Sequence, residues 1–165
     1  MVSRPSKRKS SPHKVRPEFL ISACLAGIEC TYKGKNNLKA PVRRLFLSSR
    51  AVAVCPEVMG GLSVPRENAE IIGGKVITSS GKDITKNCLA GSRIALRLAK
   101  RYGIRKAILK ASSPSCGYGL VYDGTFSGTL TKGSGILAGL LAKNGIKVMD
   151  EKSFGQLKSL KNDKG

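Results

Sequence analysis

The feature that most constrains the fold of this chain is an alternation of short apolar runs with longer segments whose apolar residues recur at helical spacing. Phe19 to Ala23, Ala51 to Val54, Ala107 to Leu109 and Ile146 to Met149 read as buried strands. Leu38 to Ser48 reads as a helix, with Pro41 in its first turn, where a missing N–H does no harm. From Asp83 to Tyr102 the residues Ile84, Cys88, Gly91, Ala95 and Leu98 form an apolar stripe, and Gly103 supplies a C-terminal stop. Leu137 to Lys143 is a further helix, ended by Asn144-Gly145. The segment IIGGKVITSSGKDIT holds β-branched runs broken at Ser79, Ser80 and Gly81, which predicts a hairpin or edge excursion. The alternation predicts a single three-layer, Rossmann-like α/β domain with a mostly parallel sheet.

Three of the strands lead into cysteines: Cys24 in ISACLAG, Cys55 in AVAVCPE and Cys116 in SSPSCG. An open parallel sheet gathers the loops at the carboxyl ends of its strands into one crevice, so these distant thiols are expected to meet there. Three thiolates without a fourth suit a metal centre with an open coordination position. In CLAGIEC five residues separate Cys24 from Cys30, unlike the two-residue spacing of zinc knuckles, so zinc is disfavoured. Cys24, at the strand end, ranks as the ligand; Cys30, further out, reads either as a thiol beside the site or as a buried loop residue. Cys88 lies on the helical stripe and reads as a small core hydrophobe.

Glu57, in CPEVMGG, is the carboxylate nearest in sequence to any of the three thiols, and a glutamate beside a buried cofactor is suited to exchanging protons. Its bland alternative is a surface residue paired with a lysine. Ser113 and Ser115 sit in a tight loop around Cys116, where they could orient a substrate or simply make turns. The single histidine, His13, lies in the N-terminal arm, so no Cys-His or Ser-His-Asp arrangement is expected. No glycine cluster has the spacing of a P-loop or a dinucleotide fingerprint.

At 165 residues the chain suits one domain. Residues 1–17, rich in Lys, Arg, Ser and Pro, are expected to be a disordered basic arm; 18–150 form the folded unit, and 151–165 a basic tail with room for a short helix. No apolar run approaches the roughly 18 residues of a membrane span, and the N-terminal segment has no apolar core of a secretory signal, so a cytoplasmic protein is expected. Five cysteines are too few for a disulfide scaffold. The net charge of +20 favours a polyanionic partner or an anionic substrate, and allows contact with RNA or tRNA through the basic surface. Aromatic residues make up only 5% of the chain and Trp is absent, leaving little material for base stacking.

The segments SACLAGIEC, CPEVMGGLSVPR, AEI, ILKASSPSCG and VYDGTFSG, followed by LLAKNGI, resemble the thiouracil desulfidase (TudS) family over about Leu20 to Met149. The resemblance implies a 4Fe-4S cluster held by Cys24, Cys55 and Cys116 with one iron left open, an acid-base role for Glu57 and an active-site role for Ser113. It implies a small thiolated pyrimidine as substrate, with non-redox, hydrolytic removal of sulfur as hydrogen sulfide. The chain departs from the family pattern at Thr31 and Lys33, and at Ala111 and Ser112, where relatives often carry charged residues, which bears on substrate or partner and not on the ligands. Two other readings fit the residues: a non-catalytic RNA-binding module with a structural cluster, and a sulfur carrier or cluster-assembly protein.

Overall fold

The computed structural model describes residues 15–162, with side chains described through residue 157. The expected basic arm lies outside the described residues as far as residue 14. The first half of the chain forms β1 (Phe19–Ser22), α1 (Ala40–Leu47), β2 (Ala51–Val54), the one-turn α2 (Pro56–Met59), β3 (Ala69–Ile72) and β4 (Lys75–Thr78). The second half forms α3 (Thr85–Tyr102), β5 (Lys106–Leu109), β6 (Tyr118–Tyr122), β7 (Leu130–Ser134), α4 (Ile136–Lys143), β8 (Lys147–Asp150) and α5 (Glu151–Asn162).

The main sheet has the order β2-β1-β5-β8, and every neighbouring pair is parallel. Because both faces of a parallel sheet are covered, its strands read as continuous apolar runs. Leu20 and Leu109 belong to the core formed with α3 and α4, whereas Ile21 and Ile108 belong to the opposite core with Val42 and Leu45 of α1 and Phe154 of α5. All four sheet side chains are fully buried, each contributing about 1.5–3 kcal/mol. Three layers result, as the alternation predicts. The chain leaves β1 toward β2 on one side and β5 toward β8 on the other, which makes the carboxyl ends of β1 and β5 a switch point.

Two excursions lie outside this sheet. β3 and β4 form an antiparallel hairpin whose turn is Gly73-Gly74, both glycines at positive φ, and not Ser79 to Gly81 as the sequence suggests. The second turn brings Asp83 back to bridge Ile77. The β6–β7 hairpin, absent from the sequence reading, is fastened to β3 by the buried Glu70, whose carboxylate accepts the N–H groups of Gly124 and Phe126 at 3.0 Å each.

The basic tail starts as α5 directly after β8. Phe154 is buried and meets Phe19 edge to face at 6.0 Å, so packing continues past residue 150. Among the described residues, no helix is long and apolar enough to cross a membrane.

Candidate active site

At the carboxyl end of the main sheet lies a cavity of about 410 Å³ lined by Cys24, Cys30, Cys55, Cys116, Glu57 and Ser113. Cys24, Cys55 and Cys116 arrive from three different strands, and Cys30 shares the loop after β1 with Cys24. Cys24 lies in a short 3-10 turn after β1 that stops at Gly27, whose φ of 97° and N–H bonds to the Ala23 and Cys24 carbonyls close the turn. Cys55 is the extended residue between β2 and α2, and Pro56 opens α2 where no N–H is needed. Cys116 follows β5 in a loop closed by Ser113, whose Oγ accepts the N–H groups of Ser115 (3.2 Å) and Cys116 (3.1 Å). That loop in turn receives the free N–H groups of α4, from Ile136 to the Pro114 carbonyl and from Leu137 to the Ser115 carbonyl.

Close backbone approaches hold these pieces together. A side chain at Gly91 of α3 would run into the Pro56 carbonyl, and one at Gly135 would stand within 2.5–2.8 Å of the Ser115 and Cys116 backbone. The turn carrying Cys55 and the loop carrying Cys116 are therefore packed onto α3 and α4 without intervening side chains.

Glu57 is not a surface glutamate. Its Oε2 accepts a hydrogen bond from Arg66 Nε at 2.6 Å, and its Oε1 accepts one from Ser115 Oγ at 2.9 Å. The ion pair is largely enclosed, with side-chain exposures of 9% for Arg66 and 15% for Glu57. Ser115 Oγ also lies 3.7 Å from Cys88 Sγ, so Cys88 is a buried stripe residue, as expected, that also touches the polar network of the site.

Cys30 stands deeper in the site than its distance from the strand end suggests. It is buried, and its thiol is hydrogen-bonded to both Cys24 and Cys55. The Cys30 hydrogen bond lowers the Cys55 thiol to about 6, with help from the Val58 N–H and Arg66. The same donor holds Cys24 below the usual thiol range, assisted by Asn37, and Cys30 itself is pushed up because it keeps the shared proton. Burial pushes Cys116 well up against the pull of Ser22, and burial also raises Cys88 to about 11. The proximity of Cys24, Cys55 and Glu57 further raises Cys116, so all three thiols become anions together only beside a compensating positive charge. Among the described residues, no three Cys, Asp, Glu or His side chains close around a single ion.

Sequence reasoning did not single out Arg66, although it ends the quoted segment CPEVMGGLSVPR. It also missed Glu151, which pairs with Lys110 Nζ at 3.3 Å and accepts the Ala111 N–H at 2.7 Å, bracing the start of the Cys116 loop. Nothing in local spacing points to either residue, because each reaches its partner through the fold.

A family profile described as 2-thiouracil desulfurase matches residues 19–153. The chain is similar to the Bacillus subtilis (strain 168) protein described as uncharacterized protein YbbK, with 43% identity over 149 residues, covering 84% of this chain and 99% of that protein. Among solved structures it is similar to the [4Fe-4S]-dependent thiouracil desulfidase TudS, with a TM-score of 0.80 and 39% identity, covering 88% of this chain and 98% of that one. The family match spans the main sheet, helices α1 to α4 and the loops that carry Cys24, Cys55 and Cys116: the chain belongs to the 2-thiouracil desulfurase family.

Proposed function

We propose that this protein is a [4Fe-4S]-dependent desulfidase that removes sulfur from a thiolated uracil, taken as free base, nucleoside, nucleotide or RNA component. The observation that carries the reading is the convergence of Cys24, Cys55 and Cys116, from three separate strand ends, on a cavity that also receives Glu57. Three soft thiolate donors spread around a space, with mutual repulsion calling for positive charge, fit an iron-sulfur cluster better than a single hard cation. Cys24, Cys55 and Cys116 would hold it, leaving one iron without a protein ligand. Such a cluster would supply a Lewis acid able to polarise a thiocarbonyl.

The remaining chemistry belongs to the chain. Glu57 takes a proton from the attacking water through a carboxylate oxygen and returns it to the sulfur, then relays the second proton from the new hydroxyl to the departing sulfur, so that a thiocarbonyl and water become a carbonyl and hydrogen sulfide. Ser113 accepts two backbone N–H groups at its oxygen, which leaves its own proton free to donate into the cavity and orient the pyrimidine. A reducing cytoplasm is the setting in which such thiols stay available as ligands.

The test is anaerobic reconstitution with iron and sulfide counted, followed by incubation with 2-thiouracil, 4-thiouridine monophosphate and thiolated tRNA. Loss of thiocarbonyl absorbance with stoichiometric sulfide supports the reading. Failure to bind iron, or a full cluster in Cys55→Ser, overturns the site assignment.

A further inference from the structure

Arg66 makes more connections across the site than any other side chain described there. Its Nε bonds Glu57 Oε2 at 2.6 Å, its Nη2 bonds the Cys30 carbonyl at 2.9 Å, and its Nη1 bonds the Ser63 carbonyl at 3.1 Å. Its backbone N–H reaches the Tyr32 carbonyl at 2.9 Å. The Cys30 carbonyl that Arg66 holds is also 3.8 Å from Cys55 Sγ. One planar side chain thus spans the loop after β1, which carries Cys24 and Cys30, and the turn after β2, which carries Cys55 and Glu57. Of the other cations lining the cavity, Lys110 is engaged with Glu151 and the Ala111 carbonyl, and Lys33 lies over the Tyr32 ring at 5.5 Å.

We propose that Arg66 is a positioning residue for the desulfuration, fixing the Glu57 carboxylate in register with the two cysteine loops by the forked geometry of its guanidinium. The inference rests on the desulfidase reading above. A fork, and not merely a positive charge, is required, because three acceptors from three segments lie at the ends of fixed N–H directions that a single ammonium group cannot serve together. Catalytic geometry is sensitive at this scale: a misplacement of about 1 Å can cost on the order of 10²-fold in rate. Arg66 touches neither a ligand thiol nor, on this reading, the reacting carbon, so its loss should act on kcat and leave substrate binding and metal content in place.

The experiment compares wild type, Arg66→Lys and Arg66→Ala, each reconstituted anaerobically, with iron and sulfide content, the visible cluster spectrum, and kcat and KM for 2-thiouracil all measured. Both variants are expected to keep wild-type iron and spectrum and a KM within about twofold, while kcat falls at least about tenfold. Added guanidinium ion is expected to restore part of the kcat of Arg66→Ala. Wild-type kcat in Arg66→Lys, a loss carried wholly by KM, or a loss that tracks missing iron would each overturn the proposal. If Arg66→Ala does not fold, Arg66→Lys carries the test alone. Inactive wild type with a full cluster would instead overturn the desulfidase reading, so the two failures are distinguishable.

Discussion

Glu57 has both carboxylate oxygens engaged, one by Arg66 and one by Ser115, so glutamine in its place keeps the shape and removes the base proposed above. We expect Glu57→Gln to lower kcat by about 10² to 10⁴, the usual range for losing a general acid-base group, while iron content stays at the wild-type level. Cys55 carries a second residue-scale expectation. In cluster-free protein its thiol, held at about 6 by the Cys30 hydrogen bond, is already a thiolate at neutral pH, whereas Cys88 and Cys116 stay protonated. Iodoacetamide labelling followed by peptide mass spectrometry should therefore mark Cys55 with a midpoint near pH 6. Removing the donor disfavours the thiolate, so Cys30→Ala should move that midpoint up; an unmoved midpoint would refute the role given to Cys30. That Cys24, Cys55, Cys116, Glu57 and Ser113 would line one cavity was legible in sequence because each stands in or beside a strand-end loop. Arg66 and the true depth of Cys30 were not, since both depend on how a loop folds back across a neighbouring strand.

At the scale of elements, the site depends on helices packed backbone to backbone. Gly91 lets α3 lie directly against α2, where a methyl group would strike the Pro56 carbonyl. Gly91→Ala is expected to destabilise the fold by about 1–3 kcal/mol, the range for overpacking, and to lower iron retention by moving Cys55. Urea denaturation of the cluster-free protein, paired with iron counts after reconstitution, checks both parts. Phe154 ties α5 to β1 through Phe19, and Phe154→Ala should cost about 3–5 kcal/mol in the same assay. Unchanged stability there would mean that α5 is an appendage. β1, β2, β5 and β8 could be read directly because both of their faces are buried, which leaves unbroken apolar runs. β6 and β7 could not: Tyr118, Leu120 and Leu130 are exposed, and Gly119, Lys132 and Gly133 interrupt any pattern. The β3–β4 turn was misplaced because Ser79 to Gly81 has turn composition too, although Gly73-Gly74 is the stronger signal for a two-residue hairpin.

Across the whole molecule, the surplus of 30 basic over 10 acidic residues creates a field that attracts anions from beyond contact distance. Such attraction is screened over about 10 Å at 0.1 M salt. We expect kcat/KM for 4-thiouridine monophosphate to fall as salt is added, while that for uncharged 2-thiouracil stays level. Equal salt responses would show that the charge plays no part in substrate capture. The three-layer class followed from the order of apolar runs alone. The position of the crevice between β1 and β5 did not, since strand order in the sheet is a long-range property that no local spacing encodes. That order also governs how the protein comes into being. The three thiols belong to loops that become neighbours only once β5 has docked beside β1, and Cys116 is the last of them to be synthesised. Until Cys116 has been synthesised and β5 has docked, the chain holds only part of the ligand set proposed above, so on that reading loading of an inorganic centre waits for the sheet to close around β5.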